Sequence, residues 1–312
     1  MSGRALITVL CLTFLLPACS KREPAKDASV FRIGFSQCNL GEPWRVQMNK
    51  DIETAARAHP EIDLVMKDAQ NDAMRQVAQI REFIAAGVDL LIVSPKEAAP
   101  LTPPVKEAFD KGIPVIVLDR RVLGDAYTAF IGADNKRIGR AAGRWIKEKL
   151  GGKGKVVELK GLMTSTPGQD RNQGFRDGIA GGALEIVFEA DMKWLEGDAR
   201  QEMESALARN AAIDCVYAHN DPGAHGAYLA AKAAGREKSM IFVGIDALPH
   251  EGRAYVQQGL LAASFEYPTG GARAVAAALD LRAKRSVPKE IILASRIFTK
   301  ENVDRGGDEL AE

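Results

Sequence analysis

At 312 residues the chain exceeds what one hydrophobic core usually supports, so it is read as two lobes or one large α/β domain. Its 42 Lys and Arg nearly balance 41 Asp and Glu and are scattered rather than gathered into a basic stripe, which excludes nucleic acid as an implied partner. With 46% hydrophobic and 27% charged residues, the composition is that of an ordinary globular protein.

Arg4 precedes an apolar run from Ala5 to Leu16, too short to span a bilayer comfortably but matching the apolar region of a secretory signal. Leu16-Pro17-Ala18-Cys19 is similar to the bacterial lipobox, whose Cys is lipidated and becomes the mature N-terminus. Pro17 departs from that pattern, which leaves ordinary cleavage or a retained anchor open. Residues 1–19 are assigned as the signal with a lipidation site at Cys19, and the polar residues 20–29 as a flexible tether. An exported protein is expected, periplasmic or lipid-anchored at the cell envelope. Of the cysteines beyond this region, Cys38 and Cys215 are too few and too far apart to define a disulfide framework.

The body then alternates strands and helices. A first strand over 30–35 and a loop over 38–43 precede a helix from Trp44 to His59, ended by Pro60. A strand from Ile62 to Lys67 runs into the polar cluster 68–72, followed by a helix over 73–86 that Gly87 closes. The strand 88–93 reaches Ser94, and a helix over 101–111 delivers the buried strand 114–118, which stops at Asp119-Arg120-Arg121. Past Gly124 the same alternation continues: strands over 130–133, 155–159, 184–190, 215–218, 240–245 and 262–265 are separated by helices over 138–150, 170–178, 198–210, 224–234 and 251–259. A helix over 271–284 and a final strand near 291–294 complete it.

Strands separated by helices of this kind imply right-handed crossovers and parallel sheets, and there are too many units for one sheet. Two similar doubly wound α/β lobes are expected, joined by hinge strands where the chain crosses near 133–134, 266–267 and 294. The N-terminal lobe is assigned 30–133 plus 267–293, and the C-terminal lobe 134–266 plus 294–312.

In such sheets ligands bind beyond the carboxyl ends of the strands. Those ends offer Trp44, Arg45, Ser94, Asp119, Arg120, Arg171, Asn220, Asp221, Asp246 and Glu266, with Asp68 and Gln70 as secondary candidates. Carboxylates, guanidiniums and amides present paired acceptors and donors suited to adjacent hydroxyls, and an indole face suits the C–H side of a sugar ring.

Segments including Glu42-Pro43-Trp44-Arg45, Asp68-Ala69-Gln70-Asn71, Leu118-Asp119-Arg120, Asp170-Arg171, His219-Asn220-Asp221 and Gly244-Ile245-Asp246 occur in one order across residues 30–300. In this the chain resembles the periplasmic monosaccharide-binding proteins of the ribose-binding type, the receptors of ABC importers, and within them the galactofuranose-binding kind. The resemblance implies a type I periplasmic binding protein fold. It implies Asp119 and Arg120 on ring hydroxyls from one lobe, with Arg171, Asn220 and Asp246 closing from the other. Trp44 and Arg45 match the galactofuranose-type pair, where ribose-type proteins carry Phe. Ser94 stands in place of Asn and Glu266 in place of Gln, so a different hydroxyl pattern would be read. Trp194 is a second stacking candidate in a segment that departs from the pattern, with structural packing as its other role. Lobe closure over a monosaccharide would then deliver it to an ABC permease of the inner membrane, or present it to a chemoreceptor or sensor kinase. A monomer without cofactor is expected.

An enzyme is the main competing class, because Asp119, Asp221, Asp246 and Glu266 could include two carboxylates flanking a glycosidic bond. A repressor of the same architecture would need an N-terminal helix-turn-helix where this chain has a signal and tether. The four His residues show no metal-ligand spacing, and no phosphate-cradling G-x-x-x-x-G-K-[ST] loop is present.

Overall fold

The computed structural model describes residues 29–310. The expected signal, Cys19 and the tether as far as residue 28 lie outside the described residues.

The chain begins with β1 (Phe31–Gln37), α1 (Pro43–Arg57), β2 (Ile62–Asp68), α2 (Ala73–Ala85), β3 (Leu90–Ser94), α3 (Ala98–Asp110), β4 (Val115–Leu118) and β5 (Ala129–Ala133). It continues through α4 (Asn135–Lys149), β6 (Lys153–Lys160), α5 (Thr166–Ile179), β7 (Ala183–Asp191) and α6 (Glu196–Arg209). Next come β8 (Cys215–Ala218), α7 (Asp221–Ala233), β9 (Ile241–Asp246), α8 (Gly252–Gln258) and β10 (Ala263–Glu266). The last elements are α9 (Gly271–Arg282), β11 (Glu290–Leu293), β12 (Arg296–Thr299) and β13 (Asp308–Glu309).

These strands form two sheets, ordered β2-β1-β3-β4-β5-β11 and β7-β6-β8-β9-β10-β12-β13. The first is parallel throughout, and the second is parallel from β7 to β10. The first five strands of each sheet follow the same order, so the molecule is two similar doubly wound lobes. Central strands β3, β4 and β5 are buried at every position, which is why they read as unbroken apolar runs. β2 lies at a sheet edge and is only partly buried along its length. The carboxylates that follow strands often turn back to cap helices: Asp72 accepts from the Met74 and Arg75 N–H groups, and Asp134 from that of Arg137.

The chain passes between the sheets three times, after β5, after β10 and between β11 and β12. After the third passage two further strands follow, where the sequence expectation ends the strands near 291–294. β12 follows β11 after only two residues and pairs antiparallel with β10, and β13 pairs antiparallel with β12. β11 and the parallel strands of the second sheet all end facing the cleft between lobes. A strand entering the second sheet directly from that cleft must therefore run the opposite way.

Helices α4 and α5 pack with their backbones nearly touching. A Cβ on Gly139 would overlap the Arg171 carbonyl, and one on Gly174 the Lys136 carbonyl. This close approach decides where the Arg171 side chain leaves α5. Cys38 and Cys215 are both buried and free.

Candidate ligand-binding cleft

Pro43 opens α1 immediately after the β1 loop, and its fixed φ suits a first helical position. Trp44 and Arg45 therefore sit on the first turn, at the carboxyl edge of the first sheet. Arg45 is buried and donates from Nη2 to Asp119 Oδ2 at 2.9 Å, from Nε to Glu42 Oε1 at 3.3 Å, and from Nη1 to Gln37 Oε1 at 3.1 Å and Ser94 Oγ at 2.9 Å. Asp119 follows β4 with φ of +68°, a left-handed conformation that Asp tolerates better than most residues. Its backbone is pinned by the Asp119 N–H to the Ile131 carbonyl at 2.8 Å and by the Tyr267 hydroxyl to its own carbonyl at 3.2 Å. Arg120 anchors Nη1 on the Lys96 carbonyl at 2.9 Å, while Nε lies 3.8 Å from Asp119 Oδ2 and makes no hydrogen bond.

From the other lobe, Arg171 donates from Nε to Asn135 Oδ1 at 2.8 Å and from Nη1 to the His219 carbonyl, with Asp246 Oδ1 at 3.9 Å. His219 is clamped beneath: its Nδ1 accepts the Gly161 N–H at 3.1 Å, so Nε2 carries the proton toward Glu158 Oε1 at 3.1 Å. Burial lowers the His219 pKa despite that carboxylate, favouring the neutral ring. Burial likewise pushes the Asp246 carboxyl well above the usual range, against the pull of Arg171. Asn220 caps α7 by accepting the Gly223 N–H and donates Nδ2 to the Trp194 carbonyl at 2.9 Å.

Trp194 has φ of +72°, and its ring presses so closely on Gly161 that a Cβ there would overlap the indole. The Arg171 and Arg120 guanidiniums lie over it at 5.3 and 5.5 Å. Trp44, facing from the first lobe, packs against Tyr267 with ring centroids 5.4 Å apart and planes tilted by 50°, and donates Nε1 to the Tyr267 carbonyl at 2.8 Å.

Together these groups line a pocket between the lobes, with about 270 Å³ of atom-free space including its opening to solvent. The lobes meet around it: Arg121 N–H donates to Thr166 Oγ1 at 2.9 Å across the cleft, and Asp119, Arg120 and Arg171 are all under 5% exposed. A model of the periplasmic binding protein domain matches residues 33–285. The chain belongs to the periplasmic binding protein family.

This periplasmic binding protein is 32% identical over 251 residues to a ribose import binding protein of Bacillus subtilis (strain 168), covering 78% of this chain and 81% of that relative. It is 32% identical over 232 residues to a galactofuranose-binding protein of Escherichia coli (strain K12), covering 71% and 73%. Among solved structures, the fructose-binding periplasmic domain of a hybrid two-component system matches with a TM-score of 0.86 at 46% identity, covering 88% of this chain and 92% of that one. The family is one of substrate-binding receptors.

Of the residues singled out in the sequence, Trp44, Arg45, Asp119, Arg120, Arg171, Trp194, Asn220 and Asp246 line the cavity of this periplasmic binding protein. Four others do not. Ser94 is buried behind Arg45 and serves it as an acceptor. Glu266 points elsewhere, pairing with Arg253 Nη2 at 2.8 Å. The reason is strand alternation: Ser264 faces Asp221 beside α8, so Glu266, two residues on, also faces α8. Asp68 and Gln70 line a separate open groove at the cleft mouth with Leu40 and Lys193.

Glu42, Pro167 and Tyr267 line the cavity but were not singled out. Glu42 had a signal, standing beside Trp44 and Arg45 in one matched segment. Tyr267 lies on a chain crossing, a position that no local pattern marks. Among the described residues no group of three or more His, Cys, Asp or Glu is placed to hold a metal ion, and no helix is long and apolar enough to cross a membrane.

Proposed function

We propose that this protein is an exported receptor that closes over one monosaccharide and delivers it to an ABC permease of the inner membrane. The observation that carries the reading is the pair of acid–guanidinium sets facing one cavity from opposite lobes: Asp119 with Arg120, and Asp246 with Arg171. Each set offers an acceptor beside a planar donor, the pattern that adjacent hydroxyls satisfy. The indoles of Trp44 and Trp194 supply apolar faces for the C–H side of the ring.

The lobes comprise 30–133 with 267–293 and 134–266 with the remaining C-terminal segment, hinged at the three passages between sheets. A ligand touching both lobes stabilises the closed form. No covalent step is involved. The relatives named for ribose, galactofuranose and fructose point to sugars able to adopt a five-membered ring. Cys19 is the proposed lipid anchor.

Calorimetric titration of the protein with D-fructose, D-ribose and D-galactose tests this, each sugar being followed by thermal shift as well. Micromolar or tighter binding of one of them is the expected result. No heat and no stabilisation with any pentose or hexose would overturn it. A sensor role is the second reading, favoured by the 46% identity to a periplasmic domain of a two-component system. Loss of sugar uptake in a deletion strain distinguishes transport from sensing.

A further inference from the structure

The carboxylate of Asp221 is fully buried, makes no ion pair among the described residues, and lies behind the cavity rather than on it. Its two oxygens share the Ser264 hydroxyl at 2.7 and 2.8 Å, and Oδ2 also accepts the Ala247 N–H at 2.7 Å. Two segments are shaped around it. A Cβ on Gly244 of β9 would overlap Oδ1, and one on Gly252 of α8 would overlap Oδ2. Burial raises the Asp221 pKa to about 8, so the acid sits here without a cation, and its fixed partners are the Ser264 hydroxyl and the Ala247 N–H.

What the carboxylate holds is a strained turn. Asp246 has φ of +125° and Ala247 +52°, both in the region that favours glycine, and neither residue is glycine. The Ala247 N–H bond to Asp221 tethers this turn from behind, while Arg253 Nε donates to the Ala247 carbonyl at 2.8 Å and the Tyr267 N–H to the Asp246 carbonyl at 3.3 Å. Asp246, one residue earlier, is the carboxylate that the turn presents to the cavity.

We propose that Asp221 is a positioning residue that, through the Ala247 N–H, fixes the Asp246 turn and so aims the Asp246 carboxylate at the ligand. This rests on the reading of Asp246 as a ligand contact. Ser264 holds Asp221 in turn, and the two cradle glycines leave the carboxylate no second position.

Four variants test it: Asp221→Ala, Asp246→Ala, the double variant, and Asp221→Ala with Ala247→Gly. Crystal structures without sugar are compared, and D-fructose and D-ribose are used as titrants. Asp221→Ala is expected to displace the Asp246 carboxylate and to weaken binding by about tenfold or more. In the Asp246→Ala background it should add less than about twofold, because the two act as one unit. Ala247→Gly should recover part of the affinity, since glycine adopts the turn without the tether. An Asp246 carboxylate unmoved in the Asp221→Ala crystal overturns the proposal whether or not either sugar binds. So do additive losses in the double variant, or no recovery with Ala247→Gly. Unchanged binding in Asp246→Ala alone would instead overturn the reading of Asp246 as a contact.

Discussion

Arg45 donates from Nη2 to Asp119 Oδ2 at 2.9 Å, joining the first turn of α1 to the end of β4 across 74 residues of sequence. The same guanidinium also satisfies Glu42, Gln37 and Ser94, so most of its donors are committed within the protein. It supports the site more than it reaches into it. Arg45→Ala is expected to leave Glu42 buried without its cation and Asp119 with only the more distant Arg120, and to lower stability by about 3–5 kcal/mol, measured by urea unfolding. A loss below about 1 kcal/mol would show that the network is dispensable.

Asp119→Asn keeps a side chain that tolerates the left-handed backbone and can still accept from Arg45. The fold should survive at about 1–2 kcal/mol while sugar affinity falls roughly tenfold to a hundredfold, as expected when a hydrogen bond to a charged group is lost. Calorimetric titration reads the affinity directly. Wild-type affinity would remove Asp119 from the ligand contacts.

Gly161→Ala places a methyl where the Trp194 ring now lies, forcing the indole away from the Arg120 and Arg171 guanidiniums that lie over it. Sugar binding should weaken about tenfold or more, as it should in Trp194→Leu, which removes the apolar face altogether. The tryptophan emission change on adding sugar checks both, and should be smallest in Trp194→Leu.

Glu266→Gln is expected to leave sugar affinity within about twofold, because its carboxylate engages a partly exposed Arg253 away from the cavity. A tenfold loss by titration would mean that Glu266 turns into the cleft when sugar binds.

Burial raises the Glu251 pKa to about 7 from its ordinary 4.5, with Glu196 adding to the effect. The folded protein then holds a proton that the unfolded chain has released, so stability falls as pH rises from about 4.5 to about 7. Glu251→Gln should flatten that decline by up to about one proton, measured as the pH dependence of the unfolding free energy. An unchanged slope would show that Glu251 titrates normally in the fold.

The fold was legible because both of its signals are local. Runs such as Leu90–Val93 and Val115–Leu118 have no polar residue for a solvent face, which identifies strands buried on both sides. Helical periods between them then require parallel crossovers. β12 escaped this logic, since its direction follows from the end at which the chain enters the second sheet, and that end depends on where β11 has already gone.

The sequence by itself determined which chemistry is available: carboxylates, guanidiniums, an amide and indoles at strand ends and helix starts. Only the tertiary structure decided which of them meet. Asp119 and Arg120 reach the cavity because β4 ends there, whereas Glu266, at the end of another parallel strand, faces α8 because side chains alternate along β10. Ser94 and Arg45 look alike as strand-edge polar residues, yet one supports the other from behind. The position of Arg171 depends on two helices meeting backbone to backbone at Gly139 and Gly174, a steric fit between segments distant in sequence that no local pattern of residues encodes.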